Sequence, residues 1–457
     1  MTQSNPINAD YYIPANVPEE LTPGFLVAFE EGTEAAALSQ LADGAGIRQV
    51  AHSRDYTDQA SNLAGDSNQD VLVFDELGIA LVTVDPDRTR RGTDVSIASS
   101  SMTDAEPEPI FFASNDFNLS PESVAYMQGF SDGASSLRQG MTGSPSEGSD
   151  IEGIASFSDS DESTWGLKAT EVDVSTLSGR GVKVAVLDTG MDLNHPDFVG
   201  RTIVSKSFIP GEAVDDRNGH GTHCIGTACG SRNPRIGPRY GVAYEAEIYV
   251  GKVLSNRGSS VGRSTLAGIE WAIGQGCDII SMSLSGRVLP GQRFSRVFER
   301  AGQVAMLRNC LIIAAAGNDS DRAGSSIQPV GSPANCPSIM AVAAIRSNLG
   351  IANFSNGGIN RDGRVDIAGP GVNIYSSAPD SPAATPQPPF FIKWPNRYHS
   401  INGTSMATPH VSGIATLYRQ ANPSLSADQL WRLLISSCAP LPLLSSRDVG
   451  AGLVKSI

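Results

Sequence analysis

Long apolar runs are missing from this 457-residue sequence. None approaches the roughly 20 residues that a helix needs to cross a bilayer, so a membrane span is not expected. The opening stretch MTQSNPINADYYIPANVPEEL has neither a basic nor an apolar segment, so no secretory signal is expected. Cytoplasmic residence, or export by a route without a classical signal, is the matching expectation. Cysteine is scarce: Cys224, Cys229, Cys277, Cys310, Cys336 and Cys438 all lie within residues 166–457, and no two form a C-x-x-C pair. That removes zinc and thioredoxin-like readings and leaves reduced, mostly buried thiols. Basic residues are short at the N-terminal end. Residues 1–165 carry 28 acidic and 6 basic side chains, against 20 and 27 in residues 166–457, within a net charge of −15. So acidic a chain does not suit nucleic acid. Two expectations stay open: the two parts attract each other, or the acidic part is merely solvated. No internal repeat is visible.

What is present has a clear order. Residues 1–23 read as a polar tail. From Gly24, GFLVAFEEG reads as a strand, TEAAALSQLADGAG as a helix and IRQVAHS as a strand. DVLVFDELGIALVTVD adds two strands around a turn at Leu77 and Gly78. This gives a small α+β domain over 24–100. Residues 101–164 read as an acidic Ser/Gly-rich linker, within which the apolar stretch PIFFASNDFNLSPESVAYMQGF fits no element. Over 165–457 the texture is α/β. VKVAVLDTG, AEIYVGKVL, CDIISMSLS, CLIIAAAGN and IMAVAAI are short apolar runs suited to strands buried on both faces, and helical stretches alternate with them. The expected fold is a doubly wound, mostly parallel sheet, with ligands at the carboxyl ends of its strands.

Those strand ends carry the residues able to do chemistry. Asp188 follows a buried strand in VAVLDTG, His220 opens a helix in NGHGTHC, Asn318 ends AAAGN, and Ser405 starts a helix in NGTSMATPH. A serine hydroxyl attacks only when a base takes its proton. A histidine serves as that base when a carboxylate fixes its tautomer, and a side-chain amide can donate to the developing oxyanion. Taken singly, Ser405 reads as an ordinary helix cap and Asn318 as a turn residue. Two details resist the ordinary reading of Ser405: Gly403 leaves room for a close approach, and Pro409 sits four residues into the helix. Ser405 is therefore expected to be exposed to a cleft.

The four strings together resemble the subtilisin-like serine proteases (subtilases, peptidase S8 type), over about residues 165–457 and in the chain order Asp, His, Ser. Cys224 after HGTH resembles the proteinase K-like branch. The resemblance implies a serine endopeptidase acting on proteins or peptides through an acyl-enzyme. Asp188 would orient, His220 would act as general base then acid, Ser405 as nucleophile, and Asn318 with the Ser405 N–H as oxyanion hole. Ser283, Leu284 and Ser285 would pair with the substrate backbone, Ser259–Gly262 would form the opposite strand, and Ala315, Ala316, Gly317 and Gly331 would wall the main pocket, leaving room for a large apolar side chain. No cofactor is required; Asp197 sits where some members bind calcium. Cys224, one helical turn after His220, is either a target for thiol-reactive metals or a small buried hydrophobe. The 24–100 domain resembles a propeptide, which implies a zymogen with the N-terminal region as intramolecular inhibitor, its final strand and tail running through the cleft. A latent protease dedicated to one partner protein, and a catalytically silent peptide-binding fold, are the two other readings.

Overall fold

The computed structural model describes residues 24–29, 33, 35–39, 47, 49–55, 70–83, 102–114, 156–380 and 397–457. The 1–23 tail and most of the 101–164 linker lie outside them. The N-terminal strands are β1 (Phe25–Phe29), β2 (Val50–His52), β3 (Val71–Phe74), β4 (Ile79–Val82) and β5 (Met102–Pro107), in the order β2-β3-β4-β1-β5. Both faces are covered, which is why FLVAF, VLVF and IALV are apolar throughout. Leu26, Ala28, Leu72, Phe74, Ile79 and Leu81 join the core of the C-terminal domain. Their alternates Val27, Phe29, Val71, Val73, Ala80 and Val82 form a second, smaller core with Ala37, in the short helical stretch 35–39, and Ile47. β6 (Ile110–Ala113) leaves this sheet and enters the C-terminal domain.

The large sheet is parallel and has seven strands: β7 (Lys183–Asp188), β8 (Ile203–Ser207), β9 (Glu247–Lys252), β11 (Ile279–Met282), β13 (Leu311–Ala315), β14 (Met340–Ile345) and β15 (Ile367–Pro370). Short β10 (Ser259–Val261) and β12 (Leu284–Ser285) stand outside it, and β16 (Ile374–Ser377) pairs with β17 (Tyr398–Ile401). The order is β15-β14-β13-β11-β7-β9-β8. From β7 the chain goes to the edge strand β8, returns to β9 beside β7, then crosses to β11 on the other side of β7. That reversal makes a crevice at the carboxyl ends of β7 and β11, where ligands of such sheets bind. The helices of the C-terminal domain are α1 (Trp165–Ala169), α2 (His220–Cys229), α3 (Gly262–Gly274), α4 (Arg296–Leu307), α5 (Thr404–Ala421), α6 (Ala427–Ser436) and the single turn α7 (Ser446–Val449). α2 packs on α5, and α3 on α4; the N-terminal sheet rests on α3 and α4.

The expected boundaries need correction. β5 and β6 lie inside the stretch read as linker, and ordered contacts of the C-terminal domain begin before Trp165: Phe157 N–H donates to Ser347 O at 2.9 Å and Asp159 accepts from Trp165 N at 2.7 Å. The polar composition of 101–164 hid two strands because their pairing partners are remote in sequence.

Candidate active site

Asp188 ends β7 and His220 begins α2. They meet because two loops touch backbone to backbone: a methyl group on Gly221 would fall 2.2 Å from Gly190 O. Buried Asp216 ties the loops together. Its Oδ1 accepts from Thr189 Oγ1 (2.9 Å), Asn218 N (3.0 Å) and Gly219 N (2.8 Å), and its Oδ2 from Thr222 N (2.9 Å) and Thr222 Oγ1 (2.7 Å). A carboxylate at a helix N-terminus answers both the free N–H groups and the helix dipole. Sequence reasoning missed Asp216; its place four residues ahead of His220 was the available signal.

Asp188 and His220 are both buried, and His220 Nδ1 stands 2.7 Å from Asp188 Oδ1. The carboxylate can only accept, so Nδ1 carries the proton and Nε2 keeps a lone pair. Nε2 is buried and has no hydrogen-bond partner among the described residues. Asn318 follows β13. Its Oδ1 accepts from Thr404 N (3.0 Å) and Thr404 Oγ1 (2.8 Å); a backbone N–H can only donate, which fixes the amide orientation. Nδ2 is thereby turned away, buried and unpartnered among the described residues.

Ser405 is the second residue of α5. Its Oγ donates to Ser283 O (2.9 Å), and Ser283 Oγ donates back to Ser405 O (2.8 Å). Pro409 now has a reason. A residue with an N–H there would bond Ser405 O; proline leaves that carbonyl free for Ser283 Oγ and for Cys224 Sγ, 3.5 Å away. The expectation that Ser405 is exposed is corrected: it is fully buried. The cover is the chain's own N-terminal region. β6 lies antiparallel between β10 and β12, with Phe112 facing both Ser259 and Ser285. Ser114 follows: its N–H donates to Ser283 O (3.2 Å), and its carbonyl accepts the Ser405 N–H (3.3 Å). The two strands expected to hold a substrate backbone therefore hold residues 110–114. IFFA carried the signal: an apolar stretch before a small residue, just after the last strand of the N-terminal sheet.

Four acidic residues fasten that region to the domain. Glu108, buried, accepts from Arg263 N (2.5 Å) at the start of α3 and pairs with the Arg263 guanidinium (2.5 Å). Glu106 accepts from Ser295 Oγ and Arg296 N at the start of α4, and Asp104 pairs with Arg296 at 3.4 Å. Glu76 pairs with Arg308 at 2.6 Å, and its N–H donates to Glu270 (2.8 Å). The contrast in charge is thus realised in specific contacts.

Ala315, Ala316, Gly317 and Gly331 come together as expected, with Gly331 N donating to Ala316 O at 2.9 Å. The space beside them is smaller than expected, because the Ser285 hydroxyl stands between Gly317 and Gly331. Cys224 does share a face with His220: Sγ is 3.8 Å from Nδ1, and Asp188, His220 and Cys224 each place one ligand atom within 4.8 Å of the others. Burial pushes the Cys224 thiol well above its ordinary range and keeps it protonated. Asp197 does not fit a calcium site. Oδ2 accepts from Tyr240 OH (2.6 Å) and Tyr398 OH (2.9 Å), and Oδ1 from Arg235 N (2.8 Å) and Tyr398 OH (3.0 Å). Burial, reinforced by the Asp197 charge, raises both phenols, so they stay donors where a cation needs oxygen ligands.

Residues 179–452 match the peptidase S8, subtilase family. The chain belongs to the subtilase family. It is 36% identical over 276 residues to subtilisin DY of Bacillus licheniformis, covering 60% of this chain and 90% of that protein. To subtilisin Savinase of Lederbergia lenta it is 40% identical over 296 residues, 64% of this chain and 96% of that one. Among solved structures it resembles fervidolysin from Fervidobacterium pennivorans, a keratinolytic enzyme related to subtilisin. The TM-score is 0.64 at 21% identity, over 96% of this chain and 61% of that one, a likeness of fold. This subtilase is a serine endopeptidase of the subtilisin type and acts on protein substrates.

Proposed function

We propose that the chain is a self-processing zymogen whose triad is Asp188, His220 and Ser405, and that its first cut falls between Ser114 and Asn115. The observation that carries this reading is the Ser405 N–H bonded to the carbonyl of Ser114, with β6 seated between β10 and β12. In the reaction Ser405 Oγ leaves Ser283 O and gives its proton to His220 Nε2 as it attacks the carbonyl carbon of residue 114. Asp188 holds Nδ1–H and stabilises the imidazolium. The oxyanion then receives the Ser405 N–H and the free Nδ2 of Asn318. His220 returns the proton to the leaving amine, and water releases the acyl group by the same route. Residues up to 114 stay in the cleft as an intramolecular inhibitor that backbone pairing and the acidic contacts retain. Every step uses side chains of the chain itself, without a cofactor. A fluorophosphonate probe with intact-mass measurement tests the reading. Expected are one label on Ser405 after the leader is removed, and fragments of residues 1–114 and 115–457. A chain that takes no label, or is cut elsewhere, overturns it.

Leader release is expected to depend on pH. Burial pushes Glu106 up to about 7, against the bonds from Ser295 and Arg296 and with Asp104 beside it. Burial also pushes Glu270 up to about 7, and its neighbours Ser53, Asp75 and Glu76 all belong to the leader. Both values lie above the ordinary 4.5, so protonation favours the docked state. The contribution is complete below pH 4.5 and is lost as pH rises through 7, by up to about 3 kcal/mol for each carboxyl. Native mass spectrometry of the processed complex should find the leader bound at pH 5 and largely dissociated at pH 8.5. Tighter retention at pH 8.5 would reverse the sign and refute the linkage.

A further inference from the structure

Beside Ser114 lies the pocket that receives the side chain preceding the cut. One wall is Leu284–Ser285 and the other Ala315–Gly317. Backbone bonds fix its width: Gly331 N donates to Ala316 O, and Gly286 and Ser332 exchange N–H···O bonds of 2.7 and 2.9 Å across the far end. Into this frame projects the hydroxyl of Ser285. A methyl group on Gly331 would fall 2.0 Å from Ser285 Oγ, and one on Gly317 would fall 3.1 Å from it. The hydroxyl therefore fills the gap between the two glycines, where the ring of a large substrate side chain would have to enter. It is also buried, with no hydrogen-bond partner among the described residues, as is Ser332 Oγ at the same end. Such a floor is closed to an aromatic ring. The residue standing at the position is itself small and polar. Ser114 is buried, and its Oγ lies 3.3 Å from Thr404 Oγ1. Three residues earlier the demand is opposite: Phe111 is fully buried and meets Phe298 of α4 edge-on, with ring centres 5.1 Å apart.

We propose that Ser285 is a specificity-determining residue: its hydroxyl shortens the primary pocket, so that this protease cuts after small residues such as serine and rejects aromatic ones. The proposal rests on reading residues 110–114 as a strand bound the way a substrate binds. It makes the leader a record of the enzyme's preference, with an aromatic side chain three residues before a small one.

The test uses two peptide p-nitroanilides, succinyl-Phe-Phe-Ala-Ser and succinyl-Phe-Phe-Ala-Phe, on processed enzyme titrated with a fluorophosphonate. The parent should favour the serine substrate at least tenfold in kcat/KM. Ser285→Gly should cut that preference at least tenfold, through a gain on the phenylalanine substrate. Ser285→Val should depress cleavage of both. Titration confines each rate to folded, competent enzyme, so a poorly folding variant does not mimic the effect. A parent that cuts after phenylalanine as fast as after serine, or a preference unchanged in Ser285→Gly, overturns the pocket assignment while the triad reading stands. Enzyme that the fluorophosphonate does not label overturns both.

Discussion

Replacing Ser405 by alanine should leave the 47.9 kDa chain whole and lower peptide hydrolysis by about a millionfold, the scale known for the nucleophile of subtilisin itself. The substitution spares nearly all of the bonding around residue 405. The backbone N–H of residue 405 still meets Ser114 O, and its carbonyl still accepts from Ser283 Oγ and Cys224 Sγ. Only the bond from Ser405 Oγ to Ser283 O is lost, and Ser283 O keeps the N–H of Ser114. One such bond contributes about 1 kcal/mol, too little to unfold a domain of this size. Ser405→Ala should therefore fold with its leader in the cleft and the bond after Ser114 intact. Intact mass of parent and variant, purified side by side, decides it. Two fragments from the parent and one full-length species from the variant are expected. A variant cut at the same bond would mean that another group, or another protease, makes the cut.

How much of this was written in the sequence depends on how far apart the cooperating residues lie. Asp188, His220, Asn318 and Ser405 were legible because each sits in a short contiguous string at the end of a strand or the start of a helix, where local pattern and chemistry coincide. The parallel sheet was legible for the same reason: strands buried on both faces read as unbroken apolar runs. Residues 110–114 were not. Four apolar residues between polar stretches have no local reason to be a strand. Their partners, Ser259–Val261 and Leu284–Ser285, are remote in the sequence, and only the cleft makes them pair. Asp216 was hidden because its role is to join residues on either side of it. Pocket width was hidden too: SLS shows that small residues line the wall, but not that one hydroxyl points inward against two glycines. The likeness of Asp197 to a calcium ligand misled, since Tyr240 and Tyr398, which fill its oxygens, are remote from it in the chain.

Asp188→Asn tests the remaining half of the mechanism, because it removes a charge while keeping the shape. The carboxylate does two things at once. Its Oδ1 accepts from His220 Nδ1 at 2.7 Å and from Thr189 N at 2.7 Å, while Oδ2 is buried and unpartnered among the described residues. An asparagine that keeps its oxygen on Thr189 N–H and His220 leaves a buried amide without an acceptor. One that turns its NH2 toward His220 forces the proton onto Nε2, and the base that Ser405 needs is gone. Either way the imidazolium formed during attack has lost its counter-charge inside a fully buried pair. A loss of about ten-thousandfold in kcat is expected, the scale of the same change in a serine-protease triad of another fold. KM should move little, since Asp188 touches no residue of the substrate strands in these contacts. Thermal unfolding should shift by only a few degrees, because the leader's acidic contacts and the Asp216 hydrogen bonds are untouched. Self-cleavage should slow in the same proportion as peptide hydrolysis, so the variant is isolated mainly uncut and converts over days. A variant within tenfold of the parent in kcat would show that His220 takes its tautomer from elsewhere. A variant whose self-cleavage stayed fast while peptide hydrolysis collapsed would separate the two reactions that the single site is proposed to perform.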